Sequence, residues 1–177
     1  IAEIDNIEAN ADIKIENEFT VTLSEDASPK TLLAFDIYFY DENEEPISYF
    51  RAPVYASGSN IQFSSFIVKN DSNGNGLLEA GESADLGIVL NNIGNEIAVG
   101  LKGVLTTTND KLVINNTEAD FNSIGDDASA VALFNVTLAE HAGNNIKLPL
   151  EVTVSDAFNN VYNFEGTYKN ACEVIFE

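Results

Sequence analysis

The chain has 177 residues, with 29 acids against 8 Lys or Arg, a formal net charge of −21 and 45% hydrophobic residues. That length holds one sandwich-sized domain plus part of another, and the apolar content supports a packed core rather than disorder. The charge disfavours nucleic acid, anionic lipid and other polyanions and favours divalent cations or cationic partners, although solubility alone accounts for most of the acids.

No apolar run reaches the roughly 18 residues of a membrane span. The lone cysteine, Cys172, excludes an internal disulfide. No signal peptide is visible and Ile1 is not an initiator Met, so the chain reads as a processed or excised piece of something longer.

Residues 1–18 are acidic, with Ile4, Ile7, Ile13 and Ile15 as apolar points, and are expected to be irregular with one short strand. Phe19–Leu23 alternates and predicts a strand. A loop with Pro29 follows, then a strand over Leu32–Tyr40, a charged turn over Asp41–Pro46 and a return strand over Ile47–Tyr55. Beyond these, strands are predicted over Ile61–Val68, Ala84–Leu90, Ala98–Thr108, Lys111–Asn115, Val131–Leu138, Ile146–Ser155 and Val161–Tyr168. Asn91–Asn95 reads as a turn and Phe121–Gly125 as a connecting loop. No stretch holds a 3.6-residue period over ten residues. About seven short strands separated by turn signals indicate an all-β, immunoglobulin-like antiparallel β-sandwich.

Between two of these strands lies Asp71-Ser72-Asn73-Gly74-Asn75-Gly76-Leu77-Leu78-Glu79-Ala80-Gly81-Glu82. It fits the twelve-residue calcium loop of EF-hands and dockerins. Asp71, Asn73 and Asn75 fill positions 1, 3 and 5, and Gly76 falls where the backbone turns sharply. Leu77 offers its carbonyl oxygen at position 7. Glu79 sits at position 9, where ligands often act through water, and Glu82 at position 12, where two carboxylate oxygens bind together. Calcium needs six to eight oxygens at flexible angles, and alternate residues of one short loop supply them. With three carboxylates and two neutral Asn ligands, the expected affinity is modest, nearer the extracellular regime. The flanks read as strands, not helices, so the metal would staple a strand connection rather than open a helix pair. The competing reading is an Asn/Gly-rich turn with its acids facing water.

An offset of 115 residues relates Phe19–Asp41 to Phe134–Asp156 without a gap. Phe19/Phe134, Val21/Val136, Thr22/Thr137, Leu23/Leu138, Glu25/Glu140, Ala27/Ala142, Leu33/Leu148 and Asp41/Asp156 are identical. Phe35/Leu150, Asp36/Glu151, Ile37/Val152 and Phe39/Val154 are conservative. The shared Thr, Glu and Asp are not forced by packing, so this reads as an internal repeat. Three segments follow: 1–58 as the last part of a preceding repeat, 59–170 as one complete sandwich, and 171–177 as a linker or the start of a next repeat. Residues 1–58 are expected to lean on the complete unit or pair with a second chain, because a half-sandwich exposes an apolar face and an open edge.

The loop at Asp71–Glu82, followed by Leu86-x-Ile88-x-Leu90-Asn91-Asn92-x-Gly94 and Val104-Leu105-Thr106-Thr107, resembles the calcium-stabilised Ig-like repeats of secreted and surface proteins of the Bacteroidetes. It also resembles the bacterial cell-adhesion-related domain. The resemblance covers about residues 61–168, with 1–55 as a partial second copy. Such modules accompany secreted peptidases of the gingipain type and occur in large surface proteins. The resemblance therefore implies a non-catalytic, extracellular or cell-surface module, acting in adhesion or as a spacer. Accessory domain of a peptidase and carbohydrate-binding module are the alternatives. The implied partners are neighbouring repeats and a protein or glycan ligand.

No catalytic arrangement emerges from the residues. His141 stands alone in an Ala-Glu-His-Ala-Gly connection and reads as a surface loop residue. Zinc would need further His or Cys, and no nucleophile elbow, P-loop or dinucleotide fingerprint is present. The acids at Asp41–Glu45 and Asp126–Asp127 read as charged turns. Tyr38, Tyr40, Tyr49 and Tyr55, with Phe39 and Phe50, cluster in the first part. Strand alternation puts Tyr38 and Tyr40 on one face and Phe39 on the other.

Overall fold

The computed structural model describes residues 14, 19–24 and 27–170. The described residues contain ten strands: β1 (Leu32–Tyr40), β2 (Pro46–Tyr55), β3 (Ile61–Lys69), β4 (Ser83–Asn92), β5 (Ala98–Thr107), β6 (Leu112–Ile114), β7 (Glu118–Ile124), β8 (Ser129–Leu138), β9 (Lys147–Ser155) and β10 (Val161–Lys169). All pairings are antiparallel. β1 and β2 form a hairpin by themselves, while β3-β4-β8-β6 and β10-β9-β5-β7 make two four-stranded sheets. The fold is the all-β, immunoglobulin-like sandwich the turn spacing predicts.

Period-two alternation sets the core. Leu86, Ile88 and Leu90 of β4 and Phe134, Val136 and Leu138 of β8 point inward from one sheet. Leu101 and Leu105 of β5 and Leu148, Leu150, Val152 and Val154 of β9 belong to the same buried cluster from the other. Most of their intervening neighbours are exposed or half-buried, as expected for antiparallel sheets with one solvated face; Gly87 of β4 is the exception, buried beneath Ile67 and Val131.

Two sequence expectations fail. Phe121–Gly125 is not a connecting loop, because residues up to Ile124 belong to β7 at a sheet edge. Its Asp120 and Asn122 weaken the strand signal. Asn122 also takes a positive φ of 62° beside a register shift against β5. In the other direction, Phe19–Ser24 joins no strand ladder. Alternation alone does not make a strand, and among the described residues no strand pairs with this segment. With β7 included, the sandwich has eight strands where the turn spacing suggested seven. The short strand expected within residues 1–18, Cys172, and the third-repeat start proposed for 171–177 lie outside the described residues.

The sandwich has two poles. The linker 56–60 enters at one, beside the turn after β4. There Gly58 accepts from the Asn95 and Glu96 amides at 3.0 and 3.2 Å and donates to Asn95 Oδ1 at 3.0 Å. Asn60 donates its amide to Asn92 Oδ1 at 3.0 Å. Gly94 is required here, since a Cβ would meet the Gly58 carbonyl and lie 2.7 Å from the Asn60 nitrogen. Lys30, from the loop before β1, reaches across to Asp127 at 2.7 Å and Asp126 at 3.7 Å. The loop 70–82 occupies the opposite pole, at the end of β10.

Candidate metal loop

The loop is built on its own backbone amides. Asn73 Oδ1 accepts from the Asn75 amide at 3.0 Å and Asn75 Oδ1 from the Leu77 amide at 2.8 Å. Asp71 Oδ2 accepts from the Gly76 amide at 3.2 Å. These side chains close Asx turns that curl the chain inward. The curl needs left-handed backbone, which Gly76 supplies at φ 76° without steric cost.

Glu82 closes the ring. One carboxylate oxygen accepts from the Ser72 amide at 2.7 Å and the other from the Glu79 amide at 3.2 Å. Glu79 Oε2 in turn accepts from the Asn73 and Asn75 side-chain amides at 2.7 and 3.2 Å. Thus Asp71, Asn73, Asn75, Glu79 and Glu82 share one hydrogen-bonded network, and Leu77 is held in it through its amide. Leu78 is fully buried, with its amide 3.4 Å from the Tyr168 hydroxyl on β10. The Gly81 amide donates to the Leu138 carbonyl at 2.9 Å. The loop is therefore seated on the core and on the ends of β8 and β10. Burial pushes the Tyr168 hydroxyl pKa up, against a lowering contribution from the Leu78 amide.

Among the described residues, no three Asp, Glu, His or Cys side chains gather into a ligand cluster. The three carboxylates would need the oxygens of Asn73, Asn75 and the Leu77 carbonyl to complete a shell. That donor set is all oxygen, as calcium requires, and offers no nitrogen or sulfur for a softer metal. Glu82 is only 8% exposed, and no cation lies within ion-pair distance of it among the described residues. Buried carboxylates are ordinarily paired or metal-bound, so the residues fit a bound divalent cation.

The remaining sequence candidates fall elsewhere. His141 is exposed, as its loop position predicts. Asp41 accepts from the Asn43 and Glu45 amides, both at 2.9 Å, in a solvent-facing turn. Tyr38 stacks on Tyr49 with ring centroids 5.6 Å apart, and Phe39 stacks on Phe50 at 6.1 Å on the opposite face. Arg51 makes a two-pronged pair with Asp36 at 2.7 and 2.8 Å, on the tyrosine face.

Sequence reading missed Asn92. It is fully buried, accepts from Asn60 and Gly94, and donates to the carbonyls of Glu96 and Ile124. The only signal was an Asn run at a strand end, which also describes an ordinary turn.

Fold and loop together define an Ig-like sandwich with a twelve-residue, Asx-turn loop between β3 and β4. No known protein family matches this chain, and no curated protein matches it.

Proposed function

We propose that the chain is a non-catalytic, calcium-stabilised Ig-like repeat module of a secreted or cell-surface bacterial protein, serving adhesion or spacing between neighbouring repeats. The observation that carries this is Glu82, a buried carboxylate that closes a twelve-residue oxygen loop and has no cationic partner among the described residues. Asp71, Asn73, Asn75, the Leu77 carbonyl and Glu82 would hold the ion, with Glu79 directly or through water. Calcium would replace the two amide groups that now donate to Glu79 and would neutralise three acids in a chain of net charge −21.

The role is mechanical. An ion that binds only the folded loop adds its binding free energy to folding. It would also fix the chain leading into β4 relative to β10. Domain boundaries at 58/59 and 170/171 follow from the 115-residue repeat, in which residues 1–58 belong to a preceding unit. Service as an accessory domain of a secreted peptidase is compatible with the same chemistry. Titration calorimetry tests the reading: one calcium per chain is expected, and Glu82→Ala should abolish it. Absence of binding at millimolar calcium would reduce the loop to a polar turn.

One observation favours a second reading, a carbohydrate-binding surface. The outward face of β1–β2 carries Tyr38, Tyr40, Tyr49 and Tyr55, all more than half exposed, around the Asp36–Arg51 pair. The corresponding face of β9–β10 has Thr153, Ser155 and Asn163. Exposed aromatic faces beside charged hydrogen-bonding groups suit sugar rings. Glycan binding that is lost in Tyr38→Ala and Tyr49→Ala would support it.

A further inference from the structure

The hairpin β1–β2 copies β9–β10 in detail. Shifted by 115 residues, the bounds of β1 coincide with those of β9. Asp41 and Asp156 each accept the amides two and four residues ahead. Glu44 and Asn159 both take positive φ, at 62° and 65°, as do Lys30 and Asn145, at 65° and 58°. The Ala27 amide donates to Ser24 and the Ala142 amide to Ala139, both at 2.9 Å. One extra residue in β2 accounts for the register shift at Phe39/Tyr40.

The surroundings of the two copies differ. Phe134, Val136 and Leu138 are completely buried, whereas Phe19, Val21 and Leu23 are 67%, 56% and 43% exposed. Leu148, Leu150, Val152 and Val154 are core, while their counterparts Leu33, Phe35, Ile37 and Phe39 are only half-buried. A groove of about 350 Å³ opens between residues 19–23 and the hairpin, lined by Leu33, Phe35 and Val54 among others. β9 also pairs with β5 along Leu150–Ser155. Among the described residues, the matching edge of β1, Phe35–Tyr40, pairs on one side only, with β2.

We propose that this inner face and the open β1 edge receive the missing strands of a second sandwich, supplied by polypeptide with the pattern of residues 59–115 of this chain. The inference rests on the repeat reading above and names its partner. A strand like β5 would pair along Phe35–Tyr40, a strand like β4 would flank Phe19 and Val21 as Leu86 and Ala84 flank Phe134 and Val136, and apolar residues placed like Leu101 and Leu105 would face Phe19, Val21 and Leu23 from the opposite sheet. A second copy stacked inner face to inner face would cover the side chains but leave both β1 edges unpaired. The strand donor satisfies face and edge together.

The test places a copy of residues 59–115 directly before Ile1 of the intact chain, where the 115-residue offset makes Ile1 follow as Asn116 does. A scrambled 59–115 extension is the control. The expected result is a second cooperative unfolding transition, a several-fold drop in binding of the dye ANS, and amide exchange slowed about 100-fold or more at residues 19–23 and 35–40. Unchanged dye binding and unprotected amides overturn the proposal. So does a dimer of the unextended chain that already protects these amides, since the second copy would then be the occupant. Calcium titration of the unextended chain reports on loop 71–82 alone, so failure of the metal reading and failure of this one are read separately.

Discussion

Phe134 and Phe19, aligned by the 115-residue offset, sit in opposite environments, and truncating each to Ala separates core from uncovered face. Phe134 is fully buried between the sheets, so Phe134→Ala loses its transfer free energy and leaves a cavity. Such changes cost about 3–5 kcal/mol, a large share of a typical total of about 5–15 kcal/mol. Phe19 already contacts water over 67% of its surface, so Phe19→Ala should stay within about 0.5 kcal/mol. In urea unfolding followed by circular dichroism, a slope of about 2 kcal/mol per molar makes the first change a fall in midpoint of about 2 M and the second nearly invisible. In the 59–115 extended chain, Phe19→Ala should become costly as well. A multi-kcal/mol loss for Phe19→Ala in the unextended chain would mean that this face is already covered in solution. A small loss for Phe134→Ala would contradict the sandwich core.

Two further outcomes are expected. Asn92→Ala strands the amides of Asn60 and Gly94 and the carbonyls of Glu96 and Ile124 at the linker pole. A loss of about 2–4 kcal/mol is expected in urea unfolding, with faster proteolysis near residues 56–60. Acidification acts through Asp156 and Asp85. Burial pushes the Asp156 carboxyl up, but hydrogen bonds from Asn160, the Phe158 amide and Tyr162 outweigh it and set it below its ordinary value. Side-chain amides of Asn135 and Asn70 lower Asp85 against a smaller effect of burial. Both folded-state values are depressed, so their stabilisation is present above about pH 4 and is lost as pH falls through the folded values. Urea midpoints measured against pH should drop in that acid range, and Asp156→Asn should flatten part of the drop.

The succession of strands along the chain was legible because period-two alternation and Gly/Asn turns repeat along it. β1 appears at its predicted bounds, and β3, β5, β9 and β10 within a residue or two. β7 was not legible, because its Asp and Asn residues are tolerated only at a sheet edge. Residues 19–23 alternate like a strand but join no ladder among the described residues, which shows that pattern specifies a face and not its partner. Of the candidate metal loop, spacing singled out Asp71, Asn73, Asn75, Leu77, Glu79 and Glu82, which hydrogen bonds gather with the Ser72 and Gly76 amides. Spacing could not show that Glu82 reaches back to Ser72 or that Leu78 plugs the core, since both depend on chain crossings of the folded pole. The Asn92–Asn60 contact and the Lys30–Asp127 pair join residues 32 and 97 positions apart, beyond the reach of local pattern.

The most direct measurement is calorimetric melting of the chain and of Glu82→Ala, each with calcium and with chelator. At calcium about 100 times the dissociation constant, stabilisation is about 2.7 kcal/mol, a rise on the order of 10 °C for a domain of this size. That rise is predicted for the parent chain and should vanish in Glu82→Ala. Identical melting of the parent chain in calcium and in chelator would contradict the metal-stapled loop and leave an Ig-like sandwich held by its core alone.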